Sequence, residues 1–393
     1  MTRNSKISVF TFLTIIIIIF ALWAVQYLAL FQKTPERAGE FTQIPPSDQP
    51  PVNYKIQEIA SNLFVPWSIV FTGNNRFLVS ERNGNIRVVE NNSIVQTPLG
   101  KLDVSQSGEE GLMGLAADPD YTSTGRIFAC LVAESDDALE GKVISFIDKD
   151  NKISEITTLI DKIPAAQYHA GCRLIFIPDK TLLITTGEAT NKNLAQDTTS
   201  LGGKILRINR DGSIPSDNPF PNSPIWTYGH RNPQGLAYDT IHNILWETEH
   251  GPSIFDGPAG GDEINIITKG ENYGWPIIYH KQKQNGLISP LLEFTPAVAP
   301  SGMLYYTGTV FPQFTNKLLF AALKGEGLYL LSTDRNNPKI IKAFEKLKDI
   351  SVGRLREVIQ APDGTIYFTT SNRDARGTVR SNDDKIYQLV PTE

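Results

Sequence analysis

Short apolar runs alternate with turns along the chain from residue 54 onward. Residues 235–238 and 244–248, on either side of the turn DTIHN, form one such pair. Six stretches repeat the same plan of an apolar run, a turn rich in Asn, Asp, Gly or Pro, a second run, a polar loop and a third run. They cover residues 67–89, 111–147, 171–208, 235–267, 302–331 and 355–389. Short runs bounded by such turns predict β-strands.

The length of the repeat predicts the fold. Units of roughly 45 to 70 residues resemble the repeats of propeller blades, which are four-stranded sheets set around a channel. Because a blade cannot bury both faces alone, the six units must stack into a closed ring. Residues 54–60, YKIQEIA, fit an outer strand that completes the last blade. We therefore predict an all-β, six-bladed propeller over residues 54–393, with a β-sandwich or two smaller β domains as the alternative.

A long apolar stretch precedes the predicted propeller, with no charged residue between Lys6 and Lys33. As a helix it would exceed the roughly 30 Å hydrocarbon thickness of a bilayer. We predict one N-terminal transmembrane helix, a signal anchor, over residues 7–31, and a Pro-rich linker over residues 32–53. By the positive-inside rule residues 1–6 stay in the cytoplasm, so the propeller is membrane-anchored and extracytoplasmic, either periplasmic or at the cell surface. A cleaved signal peptide is the alternative, but its apolar region is usually shorter.

The composition argues against nucleic-acid binding and against a structure that depends on many cysteines. The formal net charge of -5 provides no basic stripe for nucleic acid. Cys130 and Cys172 are the only cysteines, so neither a disulfide-dense scaffold nor a cysteine zinc site is available. We expect both to be small buried thiols, with a disulfide between them as the alternative.

Polar and charged residues concentrate in the loops next to the predicted strands. Equivalent loops of different blades converge on one end of a propeller channel, so these residues are expected to meet. They are Glu109, Tyr168, His169, Glu188, Arg231, Asn232, His250, Lys324, Arg354 and Arg356. Several cations beside one candidate base, His169, predict a site for a small polyanion. For each residue taken alone, a solvated charge or a structural histidine is the alternative.

At these residues the chain resembles the glucose/sorbosone dehydrogenase family, quinoproteins that use pyrroloquinoline quinone (PQQ). The matching motifs lie between residues 63 and 389 and include GEEGLMGLAADPDY, HAGCRLIF, LGGKILRINRDG, GHRNPQG, EHGP, DEIN, GENYGWP and APSGMLYYTG. The order GHRNPQG, EHGP, DEIN is more specific than any single motif. The family fold is a six-bladed propeller, which agrees with the repeat count.

The resemblance implies oxidation of aldose sugars at C1 to lactones. His169 would be the general base that removes the hydroxyl proton while hydride passes to the quinone. Glu188 would orient this base and Arg231 would polarise a quinone oxygen. The cofactor would be held by Arg231, Asn232, His250, Lys324, Arg354 and Arg356. A calcium ion would take the backbone carbonyls of Gly251 and Pro252, and Asp262 and Glu263 would tie that loop.

Substrate contacts are implied for Glu109 and Tyr168, and both depart from the family pattern. Tyr168 stands where the glucose-oxidising branch has an acid, and Glu109 and His250 stand where it has amides. The sugar pocket is therefore expected to be open, with broad or altered specificity, and an external electron acceptor is implied. A propeller without cofactor that binds a ligand or partner is the alternative function. A calcium-dependent hydrolase would need a side-chain metal cage, for which the blades offer no convincing residue set.

Overall fold

Six antiparallel sheets follow one another along the chain in the computed structural model, which describes residues 49–135 and 138–392. The predicted N-terminal segment 1–6, the predicted anchor 7–31 and most of the predicted linker lie outside the described residues. In the part of the chain that is described, no helix combines the length and the apolar character needed to cross a bilayer.

The first strand, β1 (Tyr54–Ala60), belongs to the last sheet. Blade 1 then contains β2 (Pro66–Gly73), β3 (Arg76–Glu81), β4 (Asn85–Glu90), β5 (Ser93–Ile94) and the short β6 (Gly100–Lys101). Blade 2 contains β7 (Leu112–Ala117), β8 (Arg126–Ser135), β9 (Ala138–Lys149) and β10 (Lys152–Pro164). Blade 3 contains β11 (Leu174–Phe176), β12 (Leu182–Thr186), β13 (Lys204–Ile208) and β14 (Ile225–Tyr228).

Blade 4 contains β15 (Pro233–Asp239), β16 (Ile244–Glu249), β17 (Asp262–Ile267) and β18 (Leu292–Phe294). Blade 5 contains β19 (Pro300–Tyr306), β20 (Lys317–Ala322), β21 (Gly327–Thr333) and β22 (Ile341–Lys346). Blade 6 contains β23 (Leu355–Gln360), β24 (Ile366–Thr370), β25 (Ile386–Pro391) and β1. The described helices are short: an α-helix at Tyr121–Thr124 and 3-10 helices at Lys192–Ala195 and Pro312–Phe314.

Contacts between the first strands of successive blades close the ring. β2 contacts β7, β7 contacts β11, β11 contacts β15, β15 contacts β19, β19 contacts β23, and β23 returns to β2. The seam lies in blade 6, where β1 pairs antiparallel with β25 and sets Ile56 opposite Leu389. The predicted six repeats and the predicted closing strand are both confirmed.

Apolar side chains from neighbouring blades fill the space between them. Phe128 of blade 2 packs in one cluster with Leu182 of blade 3, and Trp246 of blade 4 packs with Phe320 of blade 5. Inner strands such as β12 are buried on both faces, which explains their continuous apolar sequence. This packing fixes the strand ends from which the loops at the channel mouth start.

The two cysteines form a disulfide that joins blade 2 to blade 3. Cys130 lies in β8 and Cys172 lies just before β11. The expectation of two free buried thiols is therefore wrong. The residues are 42 positions apart in sequence, and only the stacking of adjacent blades brings their side chains together.

Candidate active site

A polar cavity lies at the end of the channel where the first strand of each blade begins and the second strand ends. Antiparallel pairing brings these two kinds of strand end to the same side, so one cavity collects residues from distant parts of the sequence. The lining residues are Trp67, Arg82, Glu109, Gly171, Gln234, His250, Ala299, Leu323, Arg354, Arg356, Asp374 and Arg376. The predicted convergence of loops at one mouth therefore holds for Glu109, His250, Arg354 and Arg356.

His169 stands beside this cavity, in the loop before β11, with Glu188 directly behind its ring. The Nδ1 atom lies 2.7 Å from Oε1 of Glu188, whose side chain is buried. An ionised carboxylate only accepts hydrogen bonds, so a neutral His169 ring that faces one has its proton on Nδ1 and keeps Nε2 as the acceptor. The second carboxylate oxygen of Glu188, Oε2, has no hydrogen-bond partner among the described residues. The pair can orient an imidazole for proton abstraction.

The backbone at His169 is held in the left-handed region, with φ of 58°. Its N–H donates to Oε2 of Glu109 at 3.2 Å, and its carbonyl accepts the N–H of Ala189 at 3.1 Å. Gly187 makes this approach feasible, since a Cβ at that position would lie 1.9 Å from the His169 carbonyl oxygen. The sequence TTGEA thus positions both the orienting carboxylate and the histidine.

Arg231 is buried, and its charge is already paired. Its Nε and Nη2 atoms lie 2.8 and 2.7 Å from Oδ2 of Asp256, and Nη1 donates to the His250 carbonyl at 3.2 Å. Asp256 also approaches the His169 and Glu188 side chains, with one polar atom of each residue within 4.8 Å of the others. No sequence pattern marks Asp256, which lies in an irregular loop between β16 and β17.

Asn232 connects blades 3 and 4 at the edge of the site. Its Oδ1 atom accepts hydrogen bonds from the Gly171 N–H at 3.2 Å and from the Gln234 amide at 3.1 Å. The carboxylate of Glu249 accepts the backbone N–H groups of both Arg231 and Asn232. These contacts fix the Arg-Asn pair relative to the histidine loop.

Arg354 and Arg356 form the opposite side of the cavity. Arg354 donates to Oδ2 of Asp374 from Nε and Nη2, at 2.9 and 2.7 Å. Arg356 reaches the same oxygen only at 3.8 Å and donates to Oε1 of Gln234 at 3.1 Å. Burial lowers the pKa of Arg356 to about 10. Although burial alone would raise it, the two arginines lower the pKa of Asp374.

Glu109 and Tyr168 meet at the rim of the cavity through a residue that the sequence did not reveal. Arg376 pairs with Oε1 of Glu109 at 2.6 Å, and its guanidinium carbon lies 5.5 Å from the centre of the Tyr168 ring. Tyr168 is 44% exposed. The loop between β24 and β25 therefore reaches the two predicted substrate residues.

His250 lines the cavity and has one ring nitrogen without a hydrogen-bond partner among the described residues. Its Nε2 atom is shielded from solvent and has no hydrogen-bond partner in the described part of the chain. Burial, reinforced by the positive charges of Arg356 and Arg231, lowers the pKa of His250 well below its usual value. The ring is therefore neutral at pH 7. Lys324 follows β20 in an exposed turn, next to Leu323, which lines the cavity.

The predicted calcium residues lie at the start of the loop after β16. The N–H of Gly251 donates to Oδ1 of Asp262 at 2.9 Å, and the Pro252 carbonyl accepts the N–H of Gly260 at 3.2 Å. The other oxygen of Asp262 accepts the N–H groups of Val298 and Ala299. Asp262 thus ties the loops together.

Comparison with known proteins agrees with this architecture. A family profile described as glucose/sorbosone dehydrogenase matches residues 63–380. Aldose sugar dehydrogenase YliI of Escherichia coli strain K12 is 32% identical, over 81% of this chain and 91% of the relative. Quinoprotein glucose dehydrogenase B of Acinetobacter calcoaceticus is 27% identical, over 85% and 88% of the two chains.

A solved structure of the PQQ-bound aldose sugar dehydrogenase from Streptomyces coelicolor superimposes with a TM-score of 0.76. It is 33% identical, and the match covers 87% of this chain and 99% of that one. The family profile spans most of the propeller, including the loops that carry His169, Arg231 and Arg356. The chain belongs to the glucose/sorbosone dehydrogenase family.

Proposed function

We propose that this protein is a PQQ-dependent dehydrogenase that oxidises aldose sugars at C1 to lactones. The main support is the position of an oriented imidazole, His169 with Glu188, beside a cavity that four arginines line. The activities named for the Escherichia coli and Acinetobacter calcoaceticus relatives support the same chemistry.

The residues at the cavity fit a flat polyanionic quinone. Arg354 and Arg356 would bind its carboxylates by charge-assisted hydrogen bonds, with Lys324 approaching from the adjacent turn. The unpartnered Nε2 atom of the neutral His250 would hydrogen-bond to the cofactor, and so would the Asn232 amide. PQQ, when bound, supplies the acceptor for the hydride that leaves C1.

Within this proposal, His169 moves the proton. Its Nε2 atom would accept the proton of the C1 hydroxyl group, and Glu188 would hold the ring and stabilise the resulting imidazolium. Arg231 would donate toward an oxygen that gains negative charge, from the Nη1 side that Asp256 does not occupy. Positioning and electrostatic stabilisation are thus divided between two loops of neighbouring blades.

The sugar would enter at the rim formed by Glu109, Tyr168 and Arg376. The carboxylate of Glu109 is half-buried and could accept hydrogen bonds from sugar hydroxyl groups, while the Tyr168 ring offers an exposed apolar face. An open rim of this kind suits several aldoses. An external acceptor would then take the electrons from the reduced cofactor.

Calcium enters the proposal through backbone oxygens, the hard donors that this ion prefers. Gly251 and Pro252 would contribute their carbonyls. The Pro252 carbonyl already accepts one hydrogen bond, and the Asp262 carboxylate is occupied by three backbone N–H groups. The chain therefore supplies few calcium ligands, and we expect the remainder to come from the cofactor and water.

Location outside the cytoplasm is supported by the Cys130–Cys172 disulfide, because such bonds persist in oxidising compartments. We propose that the segment 7–31 anchors the propeller to the membrane. This orientation can be tested by adding protease to intact cells and to cells with a permeabilised outer membrane. The propeller should be cleaved in at least one of these two preparations while the cytoplasmic membrane is intact.

Reconstitution tests the proposed activity. Purified protein is mixed with PQQ and calcium, and reduction of a dye acceptor is followed with several aldoses. Sugar-dependent reduction should appear, and His169→Ala should lose about 10²- to 10⁴-fold in turnover while it still binds PQQ. Equal turnover in the two proteins, or no sugar-dependent reduction in wild type, would contradict the proposal.

A cofactor-free propeller that binds a ligand or partner remains the alternative, and one observation favours it. Asp256 already neutralises Arg231, a cation that the dehydrogenase proposal assigns to the quinone. Titration of the apo protein with PQQ separates the two functions. Saturable binding at micromolar PQQ supports the dehydrogenase, whereas no binding supports the alternative.

A further inference from the structure

Arg82 is a buried cation that the proposed reaction does not use. It follows β3 in blade 1, is 5% exposed and lines the cavity. Its Nε atom is shielded from solvent and lacks a hydrogen-bond partner, and its guanidinium forms no ion pair with any described residue. Burial also lowers the pKa of Arg82, as expected for a charge removed from water.

The nearby carboxylates are committed elsewhere. Asp374 accepts two hydrogen bonds from Arg354, and Glu109 pairs with Arg376. Glu110 accepts hydrogen bonds from the backbone and hydroxyl of Ser107. These acids lower the electrostatic cost of burying Arg82, but none of them contacts its guanidinium.

Gly111 leaves room for the Arg82 side chain in the cavity wall. Gly111, with φ of 141°, packs directly against Arg82. A Cβ at Gly111 would lie 2.1 Å from the Arg82 carbonyl oxygen and 2.6 Å from its Cγ atom. Any larger residue would displace the Arg82 stem from the cavity wall. An unpaired buried guanidinium destabilises a fold unless an anion compensates it.

We propose that Arg82 binds a carboxylate group of the molecule that occupies the cavity. The inference rests on the proposed function, which offers two sources of carboxylate: the quinone cofactor and an acidic sugar such as a uronate. Four arginines and two carboxylates line the cavity, so positive charge remains in excess for an anionic guest. The forked guanidinium suits two parallel hydrogen bonds to a carboxylate.

The first test compares apo stability. Arg82→Met removes an uncompensated charge, so its unfolding temperature should equal or exceed that of wild type. The matched control is Arg173→Met, because buried Arg173 pairs with the buried Glu357, which would lose its partner. The control should unfold at a lower temperature. Arg82→Lys keeps the charge without the fork and remains usable if the methionine variant misfolds.

The second test measures PQQ binding by quenching of tryptophan fluorescence, for which Trp67 in the cavity wall is a natural reporter. If the cofactor supplies the carboxylate, the dissociation constant should rise at least tenfold in Arg82→Met, with Arg82→Lys intermediate. If an acidic sugar supplies it, PQQ affinity should be unchanged and KM should rise for glucuronate but not for glucose. Unchanged values in both arms overturn the proposal.

A third arm separates this proposal from the proposed function. Citrate, a carboxylate probe independent of PQQ, is titrated against the unfolding temperature of the apo proteins. If wild type fails to bind PQQ, the dehydrogenase proposal fails, and citrate then decides the role of Arg82 alone. Stabilisation of wild type that is lost in Arg82→Met supports carboxylate binding, and an equal response in both proteins contradicts it.

Discussion

The two sides of the cavity treat buried charge in opposite ways. On the histidine side, His169 is paired with Glu188 and Arg231 is paired with Asp256. On the arginine side, Arg82 has no partner among the described residues, and Nε of Arg356 is also unpartnered there. A side whose charged groups are paired with one another holds those groups in fixed positions before substrate arrives. An underpaired side is suited to an incoming anion, and the empty protein bears the cost in stability.

Replacement of the orienting carboxylate of Glu188 by an amide should give the largest effect, a loss of turnover. In Glu188→Gln, the amide NH2 can donate to Nδ1 of His169, which moves the imidazole proton to Nε2 and removes the acceptor. Turnover should fall by as much as about 10⁴-fold, the scale seen when an orienting carboxylate becomes an amide. Steady-state kinetics measure it, and PQQ affinity should stay unchanged. Normal turnover would show that the histidine side does not need its pairing.

Arg354 and Arg356 on the arginine side differ in their pairing, so replacing each of them separately should give different results. Arg356→Met should weaken PQQ binding by about 2 kcal/mol or more while the unfolding temperature changes little. Arg354→Met should weaken binding and also destabilise the fold, because Oδ2 of Asp374 loses two hydrogen bonds from its charged partner. Fluorescence titration and thermal unfolding of both variants give the comparison. Equal loss of stability in the two variants would contradict a difference in pairing between Arg354 and Arg356.

Removal of one charge from the histidine side should make it resemble the arginine side. In Asp256→Asn, Arg231 keeps a hydrogen-bond acceptor but loses its counterion. Binding of a polyanion should tighten by about 1 kcal/mol, with a steeper dependence on salt. Isothermal titration of PQQ at two salt concentrations measures this change. Ser253→Ala, which removes a weaker contact of Arg231, is the control and should leave affinity near that of wild type.

The smallest effect is expected for the free energy of unfolding when Glu247, a buried carboxylate in β16, is replaced. Burial and the adjacent Glu249 raise the pKa of Glu247 well above its usual value, so the folded state binds a proton more tightly than the unfolded chain. Its contribution to stability is complete below about pH 4.5 and is lost as pH rises through the folded-state pKa. Glu247→Gln should therefore raise the free energy of unfolding at pH 8 by about 1 kcal/mol.

Denaturant unfolding of Glu247→Gln and wild type across the pH range measures this difference. The gain should shrink toward acidic pH, where wild-type Glu247 is protonated in both states. Asn265, which donates to Glu247, is unchanged in the variant and can donate to the new amide oxygen. A gain of the same size at every pH would assign the effect to packing instead of protonation.

Much of the scaffold follows from the sequence because blade turns have strong local chemistry. Six repeats and the closing strand were predictable, and so was the meeting of Arg354 and Arg356 with Glu109 at one mouth. Asp256 and Arg376 were not, because irregular loops have no periodicity that indicates where their side chains point. The disulfide was only the alternative to two buried thiols, because contacts between neighbouring blades leave no pattern within either strand. Arg82 lies in a turn, where a charged residue is usually solvated.

The seam in blade 6 imposes an order on biosynthesis. The last residues of β25, ending at Pro391, hydrogen-bond to β1, which is made near the beginning of the chain. The first strand can therefore find its partner only after the strands of all six blades have been synthesised. Until then the nascent chain carries an open edge at each end. Truncation by even one C-terminal strand would leave a product that cannot complete its circle.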